Sequence, residues 1–288
     1  MKKLSYILPG RAYHAFQEII EPLKAAGYAV EVNQISDDTD IILPAMLLHS
    51  PRFILPIRES MAKGKKLIVW WWDDYSFTDR QRFPCDALEK IVHEAHEVWC
   101  PSYETSRELK QNHDADSYYM PCWLDLPNLK PQRAARDFVF FAAAGCALGK
   151  RLPWAERACQ LLNLPLEVSR NQTLPRGEYF KQIRECKVYL SPGFEESHGA
   201  WPSKEAAAAD KPLVVADIAT CREAFGNCEK AFYFRNESFL DLKRALMAAW
   251  NYTGQDTALA ERMARGFGME AVIRRMVVRL AELESKWF

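Results

Sequence analysis

Three glutamates crowd one short stretch of this chain. Residues 189–217 read YLSPGFEESHGAWPSKEAAAADKPLVVAD, with Glu195 and Glu196 adjacent in a polar loop and Glu205 opening an alanine-rich segment. The pattern predicts a strand over 187–191, a helix over 203–209 and a second strand over 212–216. Gly199 lets backbone approach a ligand closely. The amides that open the following helix suit an anion such as a phosphate. A carboxylate at the same edge can accept two hydroxyl hydrogen bonds from a ribose or a hexose. The plainer alternative is an ordinary strand–helix–strand unit with solvated acids at its loop.

Two other strand ends carry groups of interest. VWWWDDYSF closes a predicted strand with three tryptophans, whose side chains alternate between faces. Trp72 at the strand tip could stack on a sugar or a base, and Asp73 and Asp74 follow it. LPGRAY places Gly10 and Arg11 at the first strand-to-helix turn, where backbone and guanidinium could meet a phosphate or a second substrate. His14, His93, His96 and His113 read as surface helix residues, whereas His198 sits inside the carboxylate loop. RMARGFGMEAVIRRMVVR is basic along one side, as a solvated helix face would be; such a face could also meet anionic lipid or nucleic-acid phosphate.

The elements that would hold these residues alternate. LSYILP, YAVEV, TDIILPA, KKLIVWWW, EVWCPS and SYYMP read as strands, with helices over 11–26 and 85–97. Proline-bearing, unpatterned LPNLKPQRAAR over 126–136 is a linker. Alternation then restarts with DFVFFAAA, helix 153–162, strand 165–169, helix 177–186 and, beyond the carboxylate stretch, strand 231–234. The chain ends in helices, the last with an apolar stripe of Met269, Val272, Ile273, Met276, Leu280 and Leu283. Two alternating blocks argue for two α/β domains with largely parallel sheets, ligands lying beyond the strands' carboxyl ends. Expected boundaries are 1–128, 129–268 and a helix over 269–288 that packs back on the first domain.

The formal net charge of zero removes the basic excess usual in nucleic-acid proteins. The eight cysteines form no CxxC pair and no zinc-type spacing, so reduced thiols in a cytoplasmic protein are expected. No run of 18 apolar residues occurs, and no membrane-spanning helix is expected, though peripheral membrane contact remains open.

Five segments in order resemble the GT-B glycosyltransferases, more narrowly their large retaining group 1 branch. EVWCPSYETSRELKQN with YYMPCWLD resembles the end of that family's first domain, and FVFFAAAGCALGKR its loop after the first strand of the second. FKQIRECKVYLSP, the carboxylate stretch and CREAFGN match the segments that follow. The resemblance covers about residues 95–285. It implies two Rossmann-like domains facing a central cleft. The implied reaction moves a hexose or pentose from a UDP- or GDP-sugar to an acceptor hydroxyl, with retention, with no metal and no cofactor. Carried over by resemblance, Glu205 binds the donor ribose. Glu196, with Glu195 as rival, lies near the sugar or its leaving phosphate. Lys150, with Arg151, neutralises the diphosphate. Backbone around Gly145, Gly199 and Ala200 lies against the donor, and His198 touches it. Gly10 is placed with the donor, and Arg11, Trp72 and Asp74 with the acceptor, whose hydroxyl Asp73 orients.

Three positions depart from the pattern. Eight residues separate Glu196 from Glu205 where the family has seven, Cys146 stands for the loop arginine, and Asp210 for the glycine before Lys211-Pro212. The acceptor reading is a growing glycan or lipid-linked sugar. Alternatives are a phage-type transferase acting on hydroxymethylated DNA bases, a sugar-nucleotide epimerase, and a non-catalytic nucleotide- or glycan-binding protein of the same fold.

Overall fold

The structure is a computed structural model that describes residues 2–8, 17–45, 51–71, 85–131, 136–143, 151–170, 174–193 and 201–287. The chain divides into two compact units, Met1–Pro121 with Val272–Phe288, and Cys122–Ala271.

In the first unit six parallel strands, β1 (Lys3–Ile7), β2 (Ala29–Val32), β3 (Ile41–Pro44), β4 (Lys66–Trp70), β5 (Glu97–Cys100) and β6 (Tyr118–Tyr119), lie in the order β2-β1-β3-β4-β5-β6. The described helices between them are α1 (Ile20–Ala25), α2 (Ile54–Ala62), α3 (Cys85–Glu94) and α4 (Tyr103–His113). β3 is buried along its whole length and β4 beyond its first residue, which is why both read as unbroken apolar runs. The tryptophans divide as the pleat requires. Trp71 joins the core of Ile7, Ile42, Ile57, Leu67 and Val69, whereas Trp70 meets Trp99 edge-on at 5.8 Å and donates its indole N–H to the Met120 carbonyl at 3.2 Å.

Around β1, Lys3 Nζ lies 2.7 Å from both Glu31 and Asp38. The hydrogen bond from Lys3, aided by one from Ser36, holds the Asp38 carboxyl at about 2, below its ordinary 3.8. Because the folded value is the lower one, the stabilisation is complete above about pH 4 and is lost as pH falls through about 2. The denaturation midpoint should therefore decline across that window, and less so in Asp38→Asn.

The second unit holds β7 (Val139–Ala143), β8 (Leu166–Arg170), β9 (Val188–Ser191), β10 (Leu213–Ala216) and β11 (Ala231–Phe234), all parallel, in the order β11-β10-β9-β7-β8. Its helices are α5 (Leu152–Leu162), α6 (Arg176–Glu185), α7 (Trp201–Ala208), α8 (Ala219–Phe225), α9 (Phe239–Trp250) and α10 (Ala258–Phe267). The expected strands and helices from 153 to 216 lie within two residues of these bounds. Residues 126–129, expected as unpatterned linker, form a 3-10 turn capped by Asp125 with Leu129 buried.

The last helix is α11 (Met269–Trp287), with Val272, Met276, Leu280 and Leu283 on its buried stripe. From Val272 onward it belongs to the first unit, where Arg279 grips both oxygens of Glu97 and lies over Tyr118.

Cys100, Cys122, Cys159, Cys186 and Cys221 are buried and Cys228 is partly exposed. Burial pushes the thiols of Cys100, Cys159 and Cys186 up to about 12. Among these six, Cys228 should be the first alkylated by iodoacetamide in the native protein, as peptide mapping would show; equal labelling of Cys186 would contradict this packing.

Candidate functional site

In a doubly wound sheet, ligands gather where the strand order reverses. In the second unit that point lies between β7 and β9: the chain leaves β7 for β8 on one side and returns to β9 on the other. β9 is buried throughout and ends at Ser191. The chain then re-enters described structure at α7, all of which is buried except Pro202. Alanines 206–208 explain how a helix can be so enclosed, since small side chains let it approach its neighbours closely. The enclosure leaves Lys204 and Glu205, each 2% exposed, in need of partners.

Glu205 has two. Arg176 Nη2 donates to Oε1 at 2.7 Å, and the Tyr179 hydroxyl donates to Oε2 at 2.6 Å. Both donors stand on the first turn of α6, three residues apart and so on one face. The guanidinium lies 4.2 Å from the centre of the Phe180 ring. Burial, and next the charge of Glu205, raise the Tyr179 hydroxyl well above its ordinary pKa, which keeps it a donor. Lys204 Nζ sits 4.0 Å from the centre of the Phe267 ring and 3.9 Å from Cys122 Sγ. Burial raises the Cys122 thiol in spite of that ammonium.

Arg151 precedes α5 in the left-handed region, at φ 54°. It donates to Asn236 Oδ1 at 2.8 Å and lies 4.5 Å from the centre of the Trp154 ring, and burial lowers its pKa. Asp210, standing where the resemblance expects glycine, has φ 62° and is ion-paired with Lys230 at 2.7 Å. The glycine position is thus a left-handed turn after α7 that an aspartate fills.

Glu205 and Arg151 are the two expected site residues among the described ones. The partners of Glu205 stand on α6, and those of Arg151 include Asn236 and Trp154. Glu196, Lys150, Asp73, Gly145, His198, Gly199, Ala200, Glu195, Gly10, Trp72, Asp74 and Arg11 lie outside the described residues. In sequence, all follow the carboxyl ends of β1, β4, β7 or β9. Arg176 and Tyr179 are not among the residues expected from the sequence. A glutamate within an alanine-rich buried helix signals that donors must exist, but not where in the chain they stand.

Two units, each a parallel sheet wound on both sides by helices, make the GT-B fold found in glycosyltransferases. No protein family model matches the chain, and no curated protein matches it by sequence. Solved structures do match. HepE from Anabaena, in complex with UDP and glucose, is 12% identical with TM-score 0.75 over 98% of this chain and 100% of its own. Sucrose-phosphate synthase from Thermosynechococcus elongatus is 13% identical with TM-score 0.70, over 99% and 100%. A mutant of TarM from S. aureus, in complex with fondaparinux, alpha-GlcNAc-glycerol and UDP, is 14% identical with TM-score 0.64 over 84% of this chain and 55% of that one. At these identities the likeness is one of fold.

Proposed function

We propose that this protein is a glycosyltransferase that moves a sugar from a nucleotide-diphosphate donor, a UDP-sugar in the first instance, to a hydroxyl of a glycan acceptor. The observation that carries the reading is Glu205, a carboxylate beside the switch point of the second unit, with each oxygen held by one donor and a second acceptor site left on each. A ribose diol supplies the matching pair of hydroxyls. The structures of like fold support the choice of donor, HepE being known in complexes with UDP and with UDP-glucose.

In this reading Lys150, with Arg151, meets the diphosphate, where charge develops as the glycosidic bond breaks. Amides at Gly199 and Ala200, entering α7, face the phosphates. Glu196, or Glu195, lies by the sugar, with His198 beside it and Gly145 and Gly10 giving close backbone approach. On the acceptor side Asp73 orients the hydroxyl, with Trp72, Asp74 and Arg11 around it. Retention and metal independence follow from the resemblance. They predict product of unchanged anomeric configuration and full activity in EDTA.

Glycan is preferred over DNA as acceptor on two grounds. The net charge is zero, and Arg262 and Arg279 of the basic tail are engaged within the protein, with Ala224 and Glu223 carbonyls and with Glu97.

A thermal-shift series with UDP, GDP, CDP and ADP tests the reading. A ligand that binds only the folded state at a hundred times its Kd adds about 2.7 kcal/mol of stability, so UDP should raise the melting temperature clearly. No shift with any nucleotide at millimolar concentration would overturn it.

A further inference from the structure

We infer that Arg176 and Tyr179 are positioning residues that set Glu205 for a ribose diol, and that together they make the site prefer ribonucleotides to 2′-deoxyribonucleotides. This rests on the donor site proposed above.

In an α-helix each Cα–Cβ bond tilts toward the amino end, so Glu205 reaches back along α7 toward the turn that joins it to the β9 segment. Arg176 and Tyr179 stand on the first turn of α6, which follows the carboxyl end of β8. In strand–helix–strand units the helices run back against the strands. The amino ends of both helices therefore lie at the ligand-binding edge of the sheet, and the three side chains meet within the first turns of α6 and α7, where the Tyr179 ring packs against Phe140 of β7.

An ionised carboxylate offers about four acceptor positions, two on each oxygen. Arg176 takes one on Oε1 and Tyr179 one on Oε2. This leaves one acceptor position on each oxygen, one for each of two adjacent hydroxyls. One donor alone would leave the carboxylate free to turn about its last bond. The second fixes the rotation of the carboxylate about its last bond and so fixes where the free positions point. The donors are themselves restrained: the guanidinium lies over Phe180, and the Tyr179 ring packs at 6.0 Å from Phe140. With the Glu205 side chain only 3% exposed, a diol would meet it away from bulk water, where misalignment is not repaired by solvent.

The test is isothermal titration of the full-length protein with UDP and with 2′-deoxy-UDP, in wild type, Glu205→Gln, Arg176→Lys and Tyr179→Phe. Wild type should bind UDP on the order of ten- to a hundredfold more tightly than 2′-deoxy-UDP, the range for a hydrogen bond to a charged group. Glu205→Gln should remove most of that preference. Tyr179→Phe and Arg176→Lys should reduce it severalfold while affinity for 2′-deoxy-UDP stays near the wild-type value.

If Tyr179→Phe and Arg176→Lys weaken both nucleotides equally, the two residues only support the fold and the inference fails. If Glu205→Gln abolishes the preference while the other two retain it, the donor site stands and the positioning role falls. If wild type binds neither nucleotide, the donor site itself falls, and the inference with it. Should Arg176→Lys lower the unliganded melting temperature too far to titrate, Tyr179→Phe, which removes one oxygen, decides. A wild-type preference near one overturns the inference with no variant at all.

Discussion

Replacing Lys150 by alanine is expected to lower kcat for UDP-sugar turnover on the order of a hundred- to a thousandfold, with a much smaller change in KM. The size follows from what leaves. As the bond to the sugar breaks, the diphosphate gains negative charge, and a fixed donor at that place acts more on the transition state than on the bound substrate. Arg151 is poorly placed to substitute, since its guanidinium is shared between Asn236 and the face of Trp154. Release of UDP from donor with water as acceptor gives a readout before the natural acceptor is known. An unchanged kcat would move the role from Lys150 to Arg151. Equal losses in kcat and in affinity for UDP would make Lys150 a binding residue.

The second large effect is on stability. Glu205→Ala removes one acceptor from Arg176 and one from Tyr179 and leaves a cavity beside them. Removing one partner of a buried pair costs about 3–5 kcal/mol. Because Arg176 is 28% exposed and can recover some hydration, the expected loss is nearer the lower figure, about 3 kcal/mol. Glu205→Gln keeps the shape and an oxygen acceptor and should cost less than half as much. Urea denaturation of the unliganded protein measures both. Equal stability in wild type and Glu205→Ala would mean that the three side chains do not meet as described. The two readouts are independent: the alanine variant reports on the α6–α7 contact, and nucleotide affinity in the glutamine variant reports on the donor site.

Much of this arrangement is legible in the residues. β9 and β10 are buried strands, and such strands advertise themselves as short apolar runs. α5, α6 and α7 fall within two residues of their expected bounds because proline, glycine and charged residues punctuate the chain at their ends. Other elements escape notice for identifiable reasons. α2 begins after Phe53 with no side-chain cap and carries Pro56 in its first turn, so nothing in its sequence announces a start. α4 buries only Thr105 and Leu109, too few to show a helical period, and its real signal is the Ser102 hydroxyl accepting from the Thr105 amide at 3.0 Å. α8 is short and lies in a stretch read only through its resemblance to a family turn.

The site divides the same way. Glu205 stands out by type and position, but its partners lie 26 and 29 residues earlier in the chain, and only the crossover from β8 to β9 brings them back. Asp210 looks like a lost glycine until its backbone is seen. A positive φ is a demand on conformation, and aspartate meets it more readily than most residues with a Cβ.

The grip of Arg279 on Glu97 ties together residues 182 positions apart. During synthesis, at roughly 5–20 residues per second, Glu97 is added to the chain about ten to forty seconds before its partner. Every residue of the second unit is made in that interval. The unit begun first is therefore the one completed last. A nascent chain halted within α11 would present a finished second unit beside a first sheet whose last strands, β5 and β6, still lack the helix that grips them. Chaperones and proteases would meet that form before any substrate does.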